Sequence, residues 1–205
     1  MWQVDWTKLM GLLAYDSHQP MIFSSGIFLF LFLAFSFVYM LLQKRVTARL
    51  LFVTLFSYYF YYKSSGIYFF LLGIVTVSDF FLAHRMQQTE THWKRKMLVV
   101  ISLCINLGLL CYFKYTNFFY QMLCPLWNGS FQPLDIFLPV GISFFTFQSL
   151  SYTIDVYQHK IKPTHDIVAF FAFISFFPQL VAGPIDRATN LLPQFLVPRG
   201  FSYDK

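Results

Sequence analysis

The segment FFPQLVAGPIDR, residues 176–187, gathers an amide, a carboxylate and a guanidinium around two backbone breakers inside an otherwise apolar run. Pro178 removes a backbone N–H and is expected to kink a helix there. Gly183 and Pro184 are expected to break it. At membrane depth, irregular backbone is tolerated only against protein or a water-filled cavity. A broken helix that brings Gln179, Asp186 and Arg187 together resembles the way membrane proteins build substrate sites. The same residues would equally cap a helix end at the membrane surface, and both readings stay open.

A second polar set lies in LPVGISFFTFQSLSYTIDVYQHK, residues 138–160, where Pro139 and Gly141 mark a break ahead of the helical pattern. At about 100° per residue, Gln148, Ser151, Tyr152 and Asp155 fall on one side of a helix. Thr146, Ser149 and Thr153 form a second strip. Phe147, Leu150 and Ile154 form a third, which is expected to face lipid. Polar groups within a membrane face protein or a wet cavity. They either join helices, at about 0.6 kcal/mol each, or line a passage. Substrate-passage candidates are therefore Gln148, Tyr152, Asp155, Gln179, Asp186 and Arg187.

Other chemistry is sparse. Asp79, the remaining ionisable group in an apolar run, would cost roughly 2.5–3.5 kcal/mol if unpaired at the membrane centre, and an ion pair with Arg85 is the conservative expectation. The histidines (His18, His84, His92, His159, His165) fall in expected loops or termini, and no spacing makes a metal set or a catalytic base. Cys104, Cys111 and Cys124 form no CxxC pair and imply no disulfide framework. GxGxxG, Walker and GxSxG patterns do not occur. No cofactor or metal is expected to be bound.

The elements that must carry these groups follow from composition. The chain has 205 residues, 57% hydrophobic and only 12% charged, with mean hydropathy +0.55. A soluble domain carries about 25% charged residues, so the lipid bilayer is the expected solvent. No charge occurs between Asp16 and Lys44, Lys96 and Lys114, Asp135 and Asp155, or Asp166 and Asp186. Such windows approach the ~20 residues that cross a bilayer as helix. They are continuously apolar rather than alternating, which excludes a membrane β-barrel. The fold class is all-α, a polytopic membrane helical bundle of about five or six segments.

The net charge of +6 does not point to nucleic acid. Lys44, Arg45 and Arg49 form one cluster, Arg85, Lys94, Arg95 and Lys96 a second, and Lys160 with Lys162 a third. Each lies between apolar runs, as cytoplasmic loops do. That places the N-terminus outside. Residues 1–20 read as a short interfacial helix or a disordered tail. The expected segments are 22–42, a pair at 50–62 and 64–83 that goes out and returns, 97 to about 123, 136–154 and 167–185.

MIFSSGIFLFLFL (21–33), CYFKYTNFF (111–119), LPVGISFFTFQSLSYTIDVY (138–157) and FFPQLVAGPIDR together resemble the N-terminal part of membrane-bound O-acyltransferases. The nearest branch contains alginate O-acetyltransferase and the teichoic-acid D-alanylation acyltransferase. The resemblance runs from Met21 to about Phe195, so residues 21–205 are expected to be the first part of that membrane domain, after a 1–20 extension.

It implies a multi-pass enzyme of the bacterial cytoplasmic membrane, with a tunnel that carries an acyl group outward. The donor would be a thioester, acetyl-CoA or an acyl carrier protein. The acceptor would be an envelope polysaccharide or cell-wall glycan, served by an exported acetyltransferase-type partner. The resemblance favours the passage reading of the polar helix. The family's Trp-His-Gly and Trp-Arg-Arg-Trp-His type motifs are absent; Leu126-Trp127-Asn128-Gly129 echoes the first, with asparagine in place of histidine. The catalytic histidine is therefore expected beyond residue 205, and the chain alone is expected to be inactive. The alternative is a non-catalytic membrane scaffold that binds a partner. A transporter-like channel is the third reading, which the lack of repeated halves disfavours.

Overall fold

The computed structural model describes residues 15–16, 21, 23, 25–124, 132–183 and 186–197. Every regular element among them is helical. In order these are α1 (Gly26–Leu41), α2 (Val46–Ser65), a 3-10 turn (Gly66–Tyr68), α3 (Phe69–Gln88) and α4 (His92–Leu110). A π turn (Cys111–Tyr115), α5 (Thr116–Leu123), α6 (Ile142–Tyr157), α7 (Ile167–Ser175), α8 (Phe177–Ala182) and α9 (Ala188–Leu196) follow. The bundle agrees with the all-α membrane expectation. Two helical runs are apolar and long enough to cross a bilayer, Val46–Gln88 with 43 residues and His92–Leu123 with 32.

The first run folds back on itself. Gly66 adopts φ 58°, which suits glycine and turns the chain. Tyr58, before the turn, then lies 6.4 Å from the Phe69 ring after it. The expected out-and-back pair is thus a hairpin. Its first arm is longer than charge spacing implied, because Arg49 and Lys63 do not end it: both are buried inside α2.

The second run carries Lys114 within its π turn. There Lys114 stays exposed and donates to Ser143 Oγ at 3.3 Å. It does not interrupt the helix, as the sequence suggested.

Helix α6 is the centre of the bundle. It packs against α3, α4, α7, α8 and α9, which leaves only a narrow outer stripe. The expected lipid-facing strip is accordingly only partly so: Phe147 is 47% exposed, but Leu150 is 6% and Ile154 is half-buried. Beside this core, Phe177 of α8 fills an aromatic nest, with ring centroids 5.4 Å from Phe35, 5.1 Å from Phe56 and 5.7 Å from Phe60. On the outside of α1, Leu29, Phe30, Leu33 and Phe37 are exposed, as a lipid-facing helix requires. The expected interfacial helix over residues 1–20 falls almost wholly outside the described residues.

Candidate functional site

The site begins with a helix break. Helix α7 stops at Ser175, and Phe176 takes extended ψ of 105°. Pro178 sits in the first turn of the new helix α8, a position where its missing N–H costs nothing. Pro178 therefore starts a helix rather than kinking one, which corrects the sequence expectation.

The break leaves two backbone groups without intrahelical partners. In an unbroken helix the Phe173 carbonyl would accept from the N–H of Phe177. Instead the Phe177 N–H donates to Ser57 Oγ of α2 at 3.3 Å. The Phe173 carbonyl accepts from Gln148 Nε2 of α6 at 2.8 Å. Buried backbone groups need partners, and here side chains from two other helices supply them.

Gln148 continues the chain. Its Nε2 also donates to Gln179 Oε1 at 3.1 Å, and Gln179 Nε2 donates to Asp186 Oδ2 at 3.2 Å. Gln148 is 2% exposed and Gln179 8%. Three of the six sequence candidates are thus joined in one polar line from the bundle centre to the end of α8. Two glycines make room for it. Gly183 ends α8, and a Cβ there would stand 2.6 Å from the Gln179 Cα. Gly141, at φ 74° ahead of α6, would carry a Cβ into the Leu180 carbonyl oxygen. Pro139 is buried just before it.

The other candidates go elsewhere. Tyr152 is fully buried; its hydroxyl accepts from the Thr164 N–H at 3.1 Å and its ring lies 4.6 Å from Phe170. Asp155 is buried beside Lys160, with Nζ 3.9 Å from Oδ1. Arg187 is exposed, so the break joins amide and carboxylate without the guanidinium. Pro184 lies outside the described residues.

A second buried polar centre was not anticipated. Asp79 of α3 has no exposed surface and accepts from Ser102 Oγ at 2.5 Å, Asn106 Nδ2 at 2.7 Å and Ser149 Oγ. Arg85 is exposed and is not a partner, so the expected Asp79–Arg85 pair is replaced by neutral donors from α4 and α6. Ser149 belongs to the second polar strip of α6, whose spacing pointed to such contacts but not to their target.

Two arginines read as loop charges are structural. Arg49, 1% exposed, donates from Nη2 to the carbonyls of Phe195 and Val197 at 2.8 and 2.9 Å, closing the end of α9. Arg95 does the same for α6 through Val156 and Tyr157 at 3.3 and 3.0 Å. Histidines also depart from expectation, since His84 lies within α3 and His92 opens α4. Among the described residues no disulfide joins Cys104, Cys111 or Cys124. Among the described residues no group of three His, Cys, Asp or Glu could hold a metal, and no histidine touches the Gln148–Gln179–Asp186 line.

No family model and no solved structure matches the chain. Curated proteins do. It is 35% identical over 181 residues to the probable alginate O-acetylase AlgI of Pseudomonas aeruginosa, covering 85% of this chain and 34% of that protein. It is 36% identical over 186 residues to the probable AlgI of Azotobacter vinelandii, covering 85% and 36%. With the peptidoglycan O-acetyltransferase of Helicobacter pylori it shares 32% over 203 residues, covering 85% and 38%. The chain thus spans about a third of the length of these relatives. The match extends over 85% of this chain at 32–36% identity, and on it the chain belongs to the membrane-bound O-acyltransferase family, alongside the alginate and peptidoglycan O-acetylases.

Proposed function

We propose that the chain is part of an O-acyltransferase of the cytoplasmic membrane, with its N-terminus outside, that moves an acetyl group from a thioester donor to hydroxyls of an envelope polysaccharide. The acetyl–sulfur bond of acetyl-CoA or an acyl carrier protein breaks as the acetyl–oxygen bond forms. The acceptor's proton passes to the leaving thiolate. The base for that transfer comes from sequence outside these 205 residues, and an exported partner protein completes delivery.

These residues wall the path. The observation that carries this reading is the line Gln148–Gln179–Asp186, which holds a broken helix open with polar groups deep among membrane helices. Open backbone at that depth is otherwise costly. The same bonds also suit a structural joint in a scaffold that binds a partner. The two readings part in one assay: acceptor O-acetylation by the complete protein, co-expressed with its partner, in Gln179→Leu and wild type at matched membrane levels. Loss of about tenfold or more, the scale of misplaced positioning groups, supports the path. Acetylation unchanged in the variant removes these residues from the path, and no acetylation by the wild type supports the scaffold.

A further inference from the structure

A cavity of about 550 Å³ lies where α3 ends, α4 begins and α6 ends, and another of about 260 Å³ opens beside it. Gln87, Arg95 and His159 line both. The larger also carries His92, Tyr157 and Glu90, the smaller Lys162. None of these groups belongs to the polar line at the helix break.

Arg95 makes this a built site. It is 8% exposed, and its Nη2 is tied to the Val156 and Tyr157 carbonyls. Its guanidinium carbon stands 5.9 Å from the Tyr157 ring centroid. Nε and Nη1 make no hydrogen bond to a described residue. A guanidinium fixed at one edge offers its remaining donors in a preset fork, the geometry that recognises phosphoryl oxygens. His159 takes φ 59° as the left-handed residue that caps α6, its N–H donating to the Val156 carbonyl at 3.1 Å and that of Lys160 to the Asp155 carbonyl at 2.9 Å, and it lines both cavities. The rings of His92 and Tyr157, 6.2 Å apart, give the wall flat aromatic surface. The combined space suits a small organic ligand.

We propose that this paired cavity binds a phosphoryl group, carried either by a soluble nucleotide-sized phosphate or by an anionic lipid headgroup. The proposal goes beyond acyl transfer: it concerns binding at this end of the bundle, and it holds or fails without turnover.

The test titrates the purified protein in uncharged detergent with adenosine 3′,5′-bisphosphate, and separately with phosphatidylglycerol followed by native mass spectrometry. The variants are Lys162→Gln and His159→Gly, combined; both residues are exposed, and glycine accepts the positive φ. Saturable binding of either probe, weakened about tenfold or more in the variant as loss of charge-assisted contacts implies, at an unchanged melting temperature, supports the site, and the probe that binds identifies the source. Failure of both probes to saturate, or equal binding by the variant, overturns it. If acetylation persists while binding is absent, only this inference falls.

Discussion

Gln148 and Gln179 meet across the broken helix at 3.1 Å, the amide of α6 donating to the carbonyl of α8. The same Gln148 nitrogen closes the orphaned Phe173 carbonyl at 2.8 Å. One side chain therefore both tolerates the break and aligns the polar line that leads from it.

Replacing Gln148 by leucine keeps the volume and removes both bonds. The buried Phe173 carbonyl and the Gln179 side chain then lose a partner, which costs about 1–3 kcal/mol. Thermal unfolding in detergent should show a lower transition for Gln148→Leu than for a control at exposed Phe147, such as Phe147→Leu.

Gly141→Ala should be destabilising by about 1–3 kcal/mol, because φ is 74° and the new methyl meets the Leu180 carbonyl. Gly108→Ala has open space around it and lies inside α4, where alanine favours the helix by up to ~1 kcal/mol. Melting temperatures of the two variants should move in opposite directions.

Asp79 accepts from three neutral donors on two helices. Asp79→Ala strands Ser102, Asn106 and Ser149 together, and a loss of about 3 kcal/mol or more follows from several unpaired buried groups. Asp79→Asn retains one acceptor oxygen and should lose less. Denaturant unfolding of the two variants gives the ranking directly.

Arg49 secures α9 by two carbonyls 146 and 148 residues away. Arg49→Met keeps the buried stem and removes the donors, so the end of α9 should open. Limited proteolysis within residues 188–197 should be faster in the variant, while cleavage elsewhere stays at the wild-type rate.

Much of this arrangement was legible before the fold was known. Spacing placed Gln148, Tyr152 and Asp155 on one face of α6, and proline and glycine located the break beside Gln179 and Asp186. The orphan carbonyl of Phe173 was not legible, because it exists only once Phe176 turns out of the helix and Phe177 finds Ser57. Arg49 and Arg95 were misread for a related reason. In a linear pattern, a basic residue beside an apolar run looks like a membrane flank, and nothing local shows that it reaches the end of a distant helix. Sequence distance points Asp79 to Arg85, whereas its partners come from α4 and α6. Helical spacing alone turns Leu150 to lipid, because one helix cannot show that five others surround it.

The central claim is that the helix break lies against a wet path. In the complete protein, with Cys104, Cys111 and Cys124 replaced by alanine, a cysteine at Gln179 is treated with a small, charged, membrane-impermeant thiol reagent on each side of the membrane, beside a cysteine at Leu150. The account predicts modification at 179, slowed by the thioester donor or the acceptor glycan, and none at 150. Equal inertness of both positions, in a variant that still reaches the membrane folded, would contradict it.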